Sequence, residues 1–299
     1  MKMKFLTLPI LVFLLSISCE QKKKDAVSES ENDFEALFNG QDFSGWETWI
    51  GVPHMSVEVE GSTKDSEGNY TEALGLNNDP LQVFSITEVD GAPSLHVSGQ
   101  IYGSFATKEA YENYHYRMEV KWGDKKWAPR EDLPKNAGLL YHGTGEFGAG
   151  LGVWKNSHEC QIMEGMFGDS YRMGDTWCEI KATRPDPETR YSFDPKGDLI
   201  AFGSDESAGK ICSKNPENEK PHGEWNTVEI ICVGDTSIHI INGQVNMVNY
   251  NSKLVKSDGT KSSLTKGVIQ LQSEGAEVFY RNMEIRKISE VPEVYSSYL

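Results

Sequence analysis

In YHYRMEVKW, residues 114–122, Tyr114, Tyr116, Met118, Val120 and Trp122 alternate with His115, Arg117, Glu119 and Lys121. A period of two predicts a strand with one buried face. WNTVEIICV (225–233) and SIHII (237–241) predict two strands joined through Gly234-Asp235, and Asn242-Gly243 predicts a tight hairpin into QVNMV. GVIQLQS (267–273) and EVFYRNMEIRKI (277–288) read as another hairpin, turning at Glu274-Gly275-Ala276. Shorter strands are predicted at SLHVSG (94–99), AGLLYHG (137–143), ECQIME (159–164) and EIKAT (179–183), and a single short helix at ATKEAYENY (106–114). Many short strands without a fixed repeat predict an all-β antiparallel sandwich or barrel and argue against a propeller. Gly51 to Asp79 and Arg184 to Glu224, rich in Gly, Pro, Asp, Glu and Ser, are predicted long loops, a common location of binding and catalytic residues.

The N-terminal stretch MKMKFLTLPILVFLLSIS has a basic start, a short apolar run and small residues ahead of Cys19, the pattern of a lipoprotein signal. Residues 1–18 are therefore expected to be a leader, with Cys19 as the lipidation site. Residues 19–33 are expected to be a charged flexible tether, and 34–299 the domain. This predicts export and lipid anchoring to the outer membrane or cell surface of a Gram-negative bacterium. The 299-residue chain carries a formal net charge of -16, and loss of Lys2 and Lys4 with the leader makes it more acidic still. Such a balance gives no electrostatic footprint for nucleic acid and suits neutral ligands such as sugars. Cys160, Cys178, Cys212 and Cys232 contain no CxxC pair, which argues against a zinc ribbon. Export permits disulfides, while buried free thiols fit the apolar strand patterns around Cys160 and Cys232 equally well.

Several motifs occur in one order: LFNGQDFSGWE (37–47), Gly103-Ser104-Phe105-Ala106-Thr107, NAGLLYH (136–142), ECQIMEG (159–165), GEWNTVEI (223–230), ING (241–243) and GVIQLQSEGAEVFYRNMEI (267–285). Together they resemble the 3-keto-disaccharide hydrolase domain family, over about Leu37 to Ile288. The resemblance implies a concanavalin-like jelly roll of two curved antiparallel sheets with a sugar groove on the concave one. It also implies activity on glycosides already oxidised to a ketone at C3. The Glu159-x-Gln161-x-x-Glu164 spacing is similar to the E-x-D-x-x-E signature of laminarinase-like glycoside hydrolases, whose glutamates serve as nucleophile and acid/base. Gln161 hydrogen-bonds but does not ionise, which weakens a retaining mechanism.

A C3 ketone changes what a catalyst must do. It acidifies the C2 proton, so a base generates an enolate and the C1 substituent leaves by β-elimination, with water addition giving net hydrolysis. The site needs a base, donors to the enolate oxygen and an acid for the leaving group. Glu159, Glu164 and His142 are the expected acid/base set. In a regular strand Glu159 and Gln161 share a face and Glu164 points away, and a β-bulge would unite all three. Gln161, Asn136, Gln270, Gln272 and Arg281 are expected to bind substrate, and Trp154 to stack on a sugar, while Trp46 reads as core. Arg281 shares parity with Phe279, Met283 and Ile285, so it is expected to point inward and pair with an acid such as Glu159 or Glu164. No cofactor is called for, and no HExxH or similar spacing marks a metal site, although the fold class is compatible with structural calcium or another divalent ion. The rival readings are a surface glycan-binding module without turnover and a classical retaining glucanase.

Overall fold

The computed structural model describes residues 33–299. The expected leader and nearly all of the expected tether, with Cys19, lie outside the described residues. The described chain is a sandwich of two antiparallel sheets, the concanavalin-like jelly roll. The smaller sheet runs, in spatial order, Ile211–Cys212, Ser170–Met173, Asn156–Met163, Asn136–Thr144, Val268–Ser273, Gly103–Thr107, Trp46–Ile50 and Gly75–Leu76. The main path of the larger sheet runs Ser192–Phe193, Thr176–Thr183, Gln244–Val255, Thr236–Ile241, Asn226–Val233, Tyr114–Lys126, Ala276–Lys287, Ala92–Val97 and Phe84–Val89.

The period-two pattern does what alternation requires. Tyr114, Tyr116, Met118, Val120 and Trp122 are buried and face Phe105, Leu139, Ile269 and Leu271 of the smaller sheet across one core. Trp46 is part of that core, stacked on Phe105 with ring centroids 4.4 Å apart. Each such side chain contributes about 1.5–3 kcal/mol when fully withdrawn from water. Asn242 and Gly243 take φ of 49° and 77°, the left-handed pair that a two-residue hairpin needs, and Ile241 pairs with Gln244 across it.

Three sequence expectations change. The 106–114 segment is not helical: it connects the Gly103–Thr107 and Tyr114–Lys126 strands, held by a bridge from Tyr111 to Gly267. Val268–Ser273 and Ala276–Lys287 are not hairpin partners either, for they lie in different sheets and the chain crosses between layers at Glu274-Gly275. Gly275, at φ 79°, accepts from the backbone of Trp127 and donates to Gly99, so this corner is stitched to two other segments. The predicted loop from Arg184 to Glu224 contains three short strands, at Ser192–Phe193, Asp198–Phe202 and Ile211–Cys212. The four described cysteines are buried free thiols, which settles their open question against disulfides in this structure.

Candidate active site

The registers of the smaller sheet align its polar residues. Glu159 stands opposite Leu140 on one side and Tyr171 on the other, and Leu140 stands opposite Gln270. Gln161 opposes Gly138, Ser104 opposes Gln272, and Trp49 opposes Ser104. Opposed residues share a face, so all of these lie on the outward side, while Phe105, Leu139, Cys160 and Leu271 alternate with them into the core.

Gly138 is where the two most informative side chains meet. A Cβ built there would stand 2.4 Å from Oε1 of Glu159 and 2.4 Å from Oε1 of Gln272. Only a residue without a side chain lets the carboxyl and the amide converge over bare backbone from neighbouring strands. Glu159 is 2 % exposed, and no hydrogen bond or ion pair reaches its carboxylate from a described residue. Burial pushes its pKa well above the ordinary carboxylate range, Glu274 pushes it further, and Arg172 behind the sheet opposes both. Gln272 is buried with neither amide atom partnered. A buried polar group left unpaired costs about 1–3 kcal/mol, so these amide atoms are candidate contacts for a ligand.

The second carboxylate is Glu274, two residues after Gln272 at the corner between the sheets. Burial raises its pKa to about 7, against the pull of Arg130 and of the Asn136 amide. Arg130 Nη1 lies 3.8 Å from Glu274 Oε1, its alkyl stem packed against Gly275, where an added Cβ would stand 3.0 Å from the stem's carbons. Among the described residues, the Oδ1 of buried Asn136 and the Nε of Arg130 have no partner. Tyr102 and Tyr171 flank the acids, and their phenol pKa values are raised by burial first and then by nearby carboxylates. Glu159 and Glu274 thus form an interacting pair whose environments differ: one without a hydrogen bond, the other beside a guanidinium.

The structure brings Glu159, Gln161, Asn136, Gln270 and Gln272 to this face. Gln161 accepts from the backbone N–H of Ile162, and Gln270 accepts from Ser104 Oγ and the backbone of Lys155. It does not bring Glu164, His142 or Arg281 there. The strand ends at Met163 in a turn, so no bulge unites Glu164 with Glu159; Glu164 accepts from the backbone N–H of Lys135 at 2.9 Å. His142, at φ 54° beside a register shift, lies between the sheets against Tyr114 and Tyr141, and burial lowers its pKa to about 4. Arg281 is outward on the opposite side of the sandwich. A register shift after it, with Asn282 at φ 51°, reverses the parity, so Tyr280 and Met283 are buried while Arg281 pairs with Glu119 at 2.6 Å. Trp154 is on the right face but fully buried, donating to the Gly103 carbonyl among Leu140, Val153 and Met173, so its ring is a floor and offers no free stacking surface.

Sequence reasoning missed Glu274, Arg130, Tyr102 and Tyr171. Glu274 continues the two-residue step of Gln270 and Gln272, a signal hidden by reading it as a hairpin turn. Among the described residues, no group of three or more His, Cys, Asp or Glu side chains is placed to hold a metal ion.

Among solved structures, the chain is similar to two from Parabacteroides distasonis ATCC 8503, each described as a "putative glycosyl hydrolase". One is 16% identical over 86% of this chain and 94% of that one, with a TM-score of 0.43. The other is 20% identical over 81% and 99%, with a TM-score of 0.40. A carbohydrate-binding module, CBM66 of Bacillus subtilis, is 8% identical over 68% and 92%, with a TM-score of 0.39. No curated protein matches the chain. The family model described as a 3-keto-alpha-glucoside-1,2-lyase-like domain matches residues 33–286, and the chain belongs to that carbohydrate-active family.

Proposed function

We infer that this protein cleaves 3-keto-glycosides by removing the C2 proton and eliminating the C1 substituent. The observation that carries the reading is the pair of carboxylates, Glu159 fully buried and Glu274 largely buried, on one face with the unpartnered amide of Gln272. When two acids interact, the one in the more hostile environment keeps the proton. Glu274, beside Arg130 and Asn136, is the ionised member and takes the C2 proton. Glu159, without a hydrogen bond, holds its proton and delivers it to the glycosidic oxygen as the C1–O bond breaks. The electron pair from C2–H passes through the enolate to the new C1–C2 double bond. In between, charge on the C3 oxygen is met by Gln272 Nε2 and the Arg130 guanidinium. Water addition to the unsaturated product would complete net hydrolysis.

A cation beside the catalytic acids also separates this route from a classical glycosidase. An oxocarbenium-like transition state is positive, and a neighbouring guanidinium disfavours it. An enolate is negative and is favoured by the same group. Family membership supports the substrate class, and the sequence alone carries the proposal of export with lipid anchoring at Cys19.

The test is to incubate the mature protein in heavy water with a nitrophenyl glucoside and its 3-keto counterpart, following phenol release and deuterium at C2. Release confined to the ketone, with deuterium entering C2, is the expected result. Release from the plain glucoside would assign a classical glycosidase instead. Release from neither, with or without added divalent metals, would assign a glycan-binding module.

A further inference from the structure

The outward face of the smaller sheet changes character along one row. From Gln161 and Gly138 through Gln272 and Ser104 it is polar, and it then reaches Trp49 and, directly opposite, Leu76. Leu76 is 51% exposed on the side it shares with Trp49. Phe147 lies flat against Trp49, with centroids 5.3 Å apart and planes 6° from parallel, and the Lys155 ammonium lies over the Phe147 ring at 4.0 Å. This stack fastens the glycine-rich segment 145–152 to the Trp46–Ile50 strand.

The same segment presents Leu151, 70% exposed and held at φ 48° between Gly150 and Gly152. A branched side chain in the left-handed region is uncommon and marks a backbone held against its preference. Val153, two residues on, reaches within 3.0 Å of a Cβ built at Gly51, so this turn abuts the strand end, next to the 46%-exposed Val52. Exposed Leu76, Leu151 and Val52 lie toward one end of the row, whereas the unpartnered atoms of Gln272, Asn136 and Arg130 lie toward the other, where Leu133 is also exposed. Among the buried polar side-chain atoms of the described residues, the one without a partner at the apolar end is Trp49 Nε1. A second sugar ring would demand several hydrogen bonds there, while a flat apolar group asks for contact area and at most one.

We propose that Trp49, Leu76 and Leu151 form a leaving-group subsite for a flat apolar aglycone, an aryl or arylalkyl group, beside the polar sugar site. Naming the ligand an aglycone rests on the functional reading above. The preference for an aryl group rests on the row itself and is tested by binding, without turnover. Benzyl and methyl glucosides of the same anomer, which differ in apolar surface and little in leaving-group acidity, are titrated calorimetrically against the mature protein.

Benzyl glucoside is expected to bind about tenfold more tightly than methyl glucoside. The ratio is expected to fall to near one in Trp49→Ala and by about threefold in Leu151→Ser, an exposed position whose substitution leaves the core intact. Equal affinities in the unaltered protein, binding of neither glucoside, or a ratio unmoved in both variants would overturn the proposal. A benzyl preference that both variants erode, with no cleavage of the corresponding 3-keto-glucosides, would reject the functional reading and retain the subsite.

Discussion

On the outward face of the larger sheet Glu119, Glu229 and Glu284 each meet a basic side chain, Arg281, His115 and Arg117, at 2.6, 2.8 and 2.7 Å. On the outward face of the smaller sheet Glu159 meets none among the described residues, and Glu274 has Arg130 at 3.8 Å. Both faces belong to antiparallel strands of similar alternation, and both carry glutamates at outward positions. The difference is satisfaction. A paired, partly solvated carboxylate is structurally occupied, whereas burial without an adequate partner raises a carboxylate's affinity for its proton. The first arrangement makes a surface; the second is the one the proposed mechanism uses.

The largest effect expected from breaking this contrast is on turnover. Glu159→Gln and Glu274→Gln should each lower the rate of 3-keto-glycoside cleavage by about 10²–10⁴-fold, while Glu119→Gln on the other face leaves it within about twofold. Steady-state kinetics on the three variants measures the difference, and equal loss in all three would erase the distinction between the faces. Gly138→Ala comes next. Its methyl group would displace the Glu159 and Gln272 tips, which are flexible, so the rate should fall by about 10²-fold with the fold retained. Activity and thermal unfolding measured together separate displacement from collapse.

The pH dependence follows from the environments of the two acids. The proposed mechanism uses ionised Glu274 and protonated Glu159, so activity should decline as pH falls below about 7 and decline again at high pH when Glu159 loses its proton. The stability linkage has its own sign. Glu274 titrates at about 7 in the fold against an ordinary 4.5, so the folded chain holds this proton more tightly than the unfolded chain. The resulting stabilisation is fully present below about 4.5 and is lost as pH rises through about 7. Glu274→Gln should therefore be the more stable protein at pH ~8, by on the order of 1–3 kcal/mol, in chemical denaturation. The smallest effect is expected at the satisfied face, where Arg281→Met should change stability by about 1 kcal/mol or less and leave turnover unaltered.

Much of the fold was legible because alternation is a local property. The Tyr114–Trp122 pattern, the Asn242-Gly243 turn and the core position of Trp46 follow from residues whose neighbours along the chain determine their conformation. The candidate site was legible in part, through Glu159 and the outward Gln270 and Gln272. Glu274 escaped because a Glu-Gly-Ala step between two strands looks the same whether the strands pair or enter different sheets. Arg130 lies in a connecting segment with no pattern at all. His142 and Arg281 were misplaced for one shared reason: a register shift next to a positive-φ residue changes which way a side chain points, and neither has a reliable mark in composition.

The sequence by itself determined the strands, the tight turns, the apolar core faces and the acidic, sugar-compatible character of the chain, since each rests on short-range covalent geometry and side-chain chemistry. Tertiary structure decided which acids matter. Whether a glutamate is paired, solvated, or buried over a bare glycine depends on strands far away in the chain: Gly138, Glu159, Gln272 and Glu274 meet only when three strands lie side by side. The shifts in proton affinity arise from that convergence, because removing water and bringing charges together are properties of the packed sheet and not of any segment within it.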